Sequence, residues 1–432
     1  MSTLPVTQRG QMKHLTVVTL LAASFTSLAA DIPLSLGPTV PGIAISRAGS
    51  QTVVTYTGTL QAATNLTGPW TNVGGAISPH LPAAIAQSTF YRTRSSESVF
   101  ATNSVVSFSL TAPFQKYFEL AHAGQPDGII PPVREKPYFE GALSMAGLEL
   151  PVSLRVRGNS SLQECPFPKM KFKVAKNDRS GTPFFDAREV KLGTHCAEGG
   201  RGPIGRLREQ TATFREALAY ETMWLMEFTS PRARRAHVDY QDVTPTNASP
   251  LTGWQVSRDG LILDDIEVVA ERINGRALSD EELEDLTDAN FDPQLIADLQ
   301  FFHALLGNWD YALSVDGLGL WNTDVIELAN RTLVPVAGDF DLASWVTGMV
   351  RLMAPTDYHP ELPDIDRQAR YELEQIRQRV SAANFTTARQ RFEGKRATIE
   401  LQINAALIDE PGRTNAQRHV TAFYDALTAA AR

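Results

Sequence analysis

The chain has 432 residues, 43% of them apolar and 20% charged, an ordinary globular composition with room for two or three domains and a large core. A formal charge of −8 and a pI near 5.6 argue against nucleic acid as a partner, because phosphate backbones attract basic faces. Short basic runs at 201–208 and 232–235 read as solvated surface.

Arg9 and Lys13 precede an apolar run over 15–28, and Ser27-Leu28-Ala29-Ala30 places small residues before Asp31. This is the pattern of an export signal over residues 1–30, too short and too rich in Thr, Ser and Ala for a membrane span. No later stretch is long enough without charge to cross a membrane. The mature chain is therefore expected outside the cytoplasm: periplasmic, surface-bound or extracellular. Residues 31–100 are rich in Thr, Ser, Gly, Pro and Ala. Alternating segments such as Thr52 to Tyr56 and Thr89 to Arg92, with turn residues at 65–69 and 74–75, predict a small β-rich accessory module without catalytic residues. Only two cysteines occur, Cys165 and Cys196, and an isolated pair in an oxidising compartment predicts a disulfide rather than two buried thiols.

From about residue 105 the charge density rises. Leu150 to Val156 alternates as a strand and enters the polar turn Arg157-Gly158-Asn159-Ser160-Ser161. In Lys169 to Val174, Lys169, Lys171 and Lys173 share one face of a strand, opposite Met170, Phe172 and Val174. Residues 211–228 form an amphipathic helix with Phe214, Leu218, Leu225 and Phe228 on one stripe. Ser279 with Glu282 makes a capping box, and Asp292-Pro293 starts a helix that Gly307 stops. Residues 324–328 and 332–336 pair as a hairpin around Ala329-Asn330-Arg331. The last part, from about 364 to 432, is helical with a break at Glu410-Pro411-Gly412.

Asp310 follows the glycine-stopped helix, Asn322 comes twelve positions later, and Asp339-Phe340-Asp341 ends the hairpin. That order suits metal-dependent phosphoryl transfer. A carboxylate positions the attacking hydroxyl, and oxygen ligands hold Mg²⁺ or Mn²⁺ against the phosphates of ATP. A strand lysine facing the phosphates and a helical glutamate holding it complete the set. Lys171 is preferred for the first role over Lys169 and Lys173, and Glu216 is assigned the second. Taken singly, Asp310 is an ordinary turn residue, the lysines a solvated strand face and Glu216 a surface position; the order gives them weight. Asp339 and Asp341 straddle Phe340 and point the same way if the segment is extended.

The stretch Arg155 to Ser161, followed by Phe167-Pro168-Lys169-Met170-Lys171, resembles the N-lobe signature of the CotH kinase family, spore-coat protein H and its relatives. Gly307-Asn308-Trp309-Asp310 and Asp339-Phe340-Asp341-Leu342 are similar to that family's catalytic and metal-binding segments. The likeness covers roughly 130–350. It implies an α+β, bilobal, atypical protein-kinase-like fold over 105–432, with an N-lobe to about 255 and a C-lobe from about 256, preceded by the β module. It also implies transfer of the ATP γ-phosphate to Ser or Thr of a protein. Asp310 would be catalytic, and Asn322, Asp339 and Asp341 would hold metal, with Asp339 principal. Lys171, Glu216, Arg157, Gly158, Asn159 and Ser160 would bind the nucleotide. One departure stands out. Asn322 lies further from Asp310 than the family pattern, across a glycine-bearing insertion over 316–320. If the insertion displaced Asn322, the protein would be an inactive pseudokinase or a surface binding protein.

Overall fold

The computed structural model describes residues 17–18, 43–48, 51–56, 59–65, 71–73, 80, 82, 89–94, 98–122, 136–158, 162, 165–179, 181–194, 211–314, 319–348 and 365–430. The chain divides into two compact units, residues 1–98 with 176–185, and residues 99–175 with 186–432.

In the first unit the strands are short. β1 (Val17–Val18), β4 (Thr59–Ala63), β5 (Thr71–Asn72) and β6 (Phe90–Arg94) form a sheet in the order β1-β6-β4-β5. β2 (Ile43–Ala48) and β3 (Gln51–Tyr56) form a separate hairpin. Val54, Leu60 and Tyr91 make its small buried cluster.

The second unit is built on seven strands: β7 (Val106–Ala112), β8 (Phe139–Met145), β9 (Leu148–Val156), β10 (Met170–Val174), β11 (Val190–Thr194), β12 (Ala233–Asp242) and β13 (Gln255–Asp264). They close into a barrel in the order β10-β11-β13-β12-β7-β8-β9. All neighbours are antiparallel except β7 and β12, which run parallel from Val106↔Ala236 to Ala112↔Asp242. Alternation supplies the interior. Phe108 and Leu110 from β7, Leu154 from β9, Phe172 from β10 and Val238 from β12 are buried, while intervening residues are at least partly exposed. At Gly141 on β8 a Cβ would stand 2.7 Å from the Thr111 carbonyl oxygen, so the strands approach too closely there for any side chain.

The bilobal kinase-like fold is not what forms, although the α+β class holds. Residues 255 and 256, where two lobes were expected to part, lie inside β13, a barrel strand paired on both edges. A barrel has no free edge, and closure here needs β10 to pair with both β9 and β11, and β7 with a strand some 130 positions away. Local alternation signals strands but not whether their sheet closes.

Helix α1 (Phe114–His122) follows β7, α2 (Ala212–Leu225) precedes β12, and α3 (Ile266–Arg272) follows β13. Next come the short β14 (Gly275–Ala277) and α4 (Pro293–Leu306), with Asp292 capping α4 through the Gln294 N–H and Pro293 in its first turn. The Ser279–Glu282 capping box forms as expected. β15 (Ala312–Ser314) and β16 (Gly319–Trp321) make a hairpin, and β17 (Thr323–Leu328) pairs with β18 (Leu333–Ala337) and β14. The chain ends in α5 (Ile365–Arg379), α6 (Ala382–Ala405) and α7 (Glu410–Ala429). The break falls at 406–409, just before the expected one, because Pro411 needs no N–H partner and serves the first turn of α7. Residues of α2, α4, α5, α6 and α7 share one core with Phe340 and Trp345. Among the described residues no helix is long and apolar enough to cross a membrane.

Candidate active site

The site begins at the end of α4. Gly307 adopts φ +58°, and its carbonyl accepts from both the backbone N–H and the Oγ of Ser344, at 3.1 and 3.0 Å. The turn sends Asn308 inward. Its side-chain Nδ2 meets Nδ1 of His303 at 3.0 Å, and its Oδ1 accepts the Asp310 N–H at 3.1 Å. His303 is fully buried and stacks on Tyr311 with ring centroids 3.6 Å apart. Burial drives its pKa down to about 3, so it is a neutral support for this loop.

Asp310 is held at both carboxylate oxygens. Trp321 Nε1 donates to Oδ1 at 2.9 Å and Asn322 Nδ2 to Oδ2 at 3.0 Å, with a further bond from Nδ2 to the Asp310 carbonyl at 2.8 Å. Burial raises the Asp310 pKa; the two indole and amide bonds oppose this, and the fields of Asp339 and Asp341 add to it. The insertion therefore does not carry Asn322 away. Its flanks pair as β15 and β16, with Ala312 opposite Trp321, and a hairpin returns the chain to where it left. Asn322 itself takes φ +53°, a left-handed conformation that Asn tolerates better than most residues, and its carbonyl accepts the Gly338 N–H at 2.9 Å.

After β18 the acidic pair does not lie on extended backbone as expected. Asp339 is left-handed, with φ +54°, and 340–342 form a 3-10 turn that buries Phe340 against Tyr220 and Phe302. The two carboxylates nevertheless converge. Lys169 Nζ lies 2.5 Å from Asp339 Oδ1 and 2.9 Å from Asp341 Oδ2. Asp339 is further fixed by its N–H, which donates to the Tyr220 hydroxyl at 2.9 Å. Tyr220 lies one helical turn beyond Glu216 on α2, which places both on the face turned to the acidic pair. Glu216 is buried, and its pKa is raised to about 8 by that burial; Lys169 and Arg157 pull it down, Asp341 and Asp339 push it up.

The lysine of the site is thus Lys169, not the preferred Lys171. Lys171 and Lys173 both turn to Glu189, at 3.0 Å for Lys173, and Tyr138 donates to the same carboxylate at 2.7 Å. The physical cause is position: Lys169 lies just before β10, where its carbonyl accepts the Arg157 N–H, and its ammonium meets the acidic pair after β18, whereas Lys171 and Lys173 lie within β10 beside Glu189. The expected Lys171–Glu216 pair is accordingly replaced by Lys171 with Glu189 and by Lys169 beside Glu216. Arg157 is near enough for its charge to act on Glu216 and Tyr220. Gly158 has φ +97°, and its carbonyl accepts from Lys136 Nζ. Asn159 and Ser160 lie outside the described residues. Cys165 is buried and disulfide-bonded, and the other cysteine of the chain, Cys196, lies outside the described residues.

Tyr220, Trp321, His303 and Glu189 were not singled out from the sequence. Only Tyr220 carried a signal, its i+4 spacing from Glu216; Trp321 reaches Asp310 only through the β15–β16 hairpin, His303 reaches Asn308 and Tyr311 only through the turn at Gly307, and Glu189 reaches Lys171 only through the pairing of β10 with β11.

Among the described residues no three His, Cys, Asp or Glu side chains form a ready-made metal cage. Magnesium does not require one, since it is commonly bound by one or two carboxylates together with substrate phosphates. Asp339 and Asp341, two hard oxygen donors already gathered around a cation, fit that chemistry. No protein-family model matches the chain, and no curated protein matches it.

Proposed function

We propose that this protein transfers the γ-phosphoryl group of ATP to a Ser or Thr hydroxyl of a protein, outside the cytoplasm, with Mg²⁺ or Mn²⁺. The observation that carries this function is the convergence of Asp339 and Asp341 on Lys169, beside buried Glu216 and across from an Asp310 clamped by Trp321 and Asn322. The CotH-like motifs hold Asp310, Asp339 and Asp341 in the same order, although the lysine assigned from them was Lys171 where the site has Lys169. A bound divalent cation neutralises phosphate oxygens, and Asp339, Asp341 and Asn322 are the residues that would hold it. Lys169 and Arg157 supply positive charge on the phosphate side. Asp310 accepts the hydroxyl proton as the acceptor oxygen bonds to the γ-phosphorus and the bond to the bridging oxygen of ADP breaks. Burial, which raises the pKa of this carboxyl, makes it a stronger base and suits that role.

One observation favours a second function, binding without transfer: the lysine meant for phosphate is already neutralised by both aspartates. Labelled ATP with Mn²⁺ separates the two. Transfer predicts label on the protein or an acceptor protein, lost by about a hundredfold or more in Asp310→Ala and Asp339→Ala. Equal label in wild type and both variants would sink the assignment. Nucleotide binding with no label would support the second function.

A further inference from the structure

Trp321 joins the molecular surface to the candidate base. It is 54% exposed, yet its indole N–H is committed to Oδ1 of Asp310 at 2.9 Å. A tryptophan at a surface can give its N–H to water, and leaving its apolar faces in water forgoes a large burial term. Here the N–H is committed to the candidate base while more than half of the residue's surface stays open to solvent. Among the described residues the ring stacks on no other aromatic side chain and on no cation.

The distance to the reacting atoms is short. An acceptor hydroxyl giving its proton to Asp310 must sit within about 3.2 Å of the carboxylate. With the indole nitrogen 2.9 Å from Oδ1, the acceptor oxygen lies within about 6–8 Å of the indole, depending on which carboxylate oxygen it uses. Extended chain advances roughly 3.3–3.6 Å per residue, so the residues one or two positions from the acceptor are within reach of the indole. β16, which carries Trp321, pairs only with β15 among the described residues, and an extended peptide can lie along such an edge.

We propose that Trp321 forms the acceptor subsite of this protein, its exposed indole face receiving a large apolar or aromatic side chain next to the Ser or Thr that is phosphorylated. The subsite rests on the phosphoryl-transfer function above and adds its substrate class, hydroxyls flanked by an apolar residue on an extended polypeptide. A single carboxylate oxygen has lone pairs for both the indole and the hydroxyl, so Trp321 orients Asp310 without displacing the acceptor.

The test uses the full chain, labelled ATP, Mn²⁺ and a position-scanning library of Ser and Thr peptides, with a glycan acceptor in parallel. Wild type is expected to favour Phe, Tyr, Trp or Leu within two positions of the acceptor by about tenfold or more. Trp321→Ala should lose that preference. Trp321→Phe, which keeps a ring but not the N–H, should keep it while turning over more slowly. Peptide phosphorylation with no flanking preference, the same preference in Trp321→Ala, or transfer confined to the glycan would overturn the subsite. No transfer by wild type to any acceptor would instead overturn the phosphoryl-transfer function itself.

Discussion

Lys169 and Lys171 are two residues apart and identical in chemistry, yet they have different partners. Lys169 is buried between Asp339 and Asp341, whereas Lys171 is partly exposed and shares Glu189 with Lys173 and Tyr138. Lys169→Met should therefore lower kcat/KM for ATP by about a hundredfold, the scale of a lost charge-stabilising group. Lys171→Met should lower it less than about threefold, because Glu189 keeps Lys173 and the Tyr138 hydroxyl. Steady-state kinetics on the two variants decide this, and equal losses would remove Lys169 from its place. From the sequence, alternation put the three lysines on one strand face, and Lys171 was preferred among them. The choice among them came from where β10 begins and from which acids face each lysine, and these acids lie between 16 and 172 positions away along the chain.

At the scale of elements, the turn after α4 positions the candidate base. Gly307 is left-handed, and a Cβ there would stand 2.8 Å from the Cβ and Oγ of Ser344. Gly307→Ala thus combines backbone strain of about 1–3 kcal/mol with a steric clash that shifts 308–310. The expected result is a lower melting temperature together with weaker phosphoryl transfer. A variant that melts earlier but keeps full activity would show that the turn holds the fold and not the base. The stop itself was legible, since glycine after a periodic apolar run is a strong end signal, and so were the α4 cap and the β17–β18 hairpin. The β15–β16 hairpin was not. Its strands are three residues each, too short for a periodic signal, and its flanks read as a glycine-bearing insertion.

Across the whole molecule, burial of neutral histidines links stability to pH. His419 on α7 is buried, and that burial, with the charge of Arg418 adding to it, lowers its pKa from 6.5 to about 4; His303 is lowered to about 3. A depressed pKa means that the unfolded chain takes up the proton first. The stabilisation is complete above pH 6.5 and is lost as pH falls from 6.5 to about 4 for His419. The loss is on the order of 3 kcal/mol for that group. Denaturant unfolding between pH 7 and 4 should show a shallower decline in His419→Leu than in wild type. Parallel profiles would mean that His419 does not titrate differently on folding.

The sequence by itself determined what depends on neighbours along the chain. Alternation placed β9 and β10, apolar spacing placed α2 and the C-terminal helices, cap residues and glycine bounded α4, and the order of Asp310, Asn322, Asp339 and Asp341 drew attention to one site. Tertiary structure alone decided what depends on contacts between distant segments. It closed the sheet into a barrel where two lobes were expected, chose Lys169 over Lys171, brought Asn322 back to Asp310 through a hairpin, and set an exposed tryptophan against the base. The reason is physical. Propensity and periodicity act over a few residues, whereas strand pairing, burial and the fields between charges are fixed only when separate segments pack together, from the 11 positions between Asp310 and Trp321 to the 172 between Lys169 and Asp341.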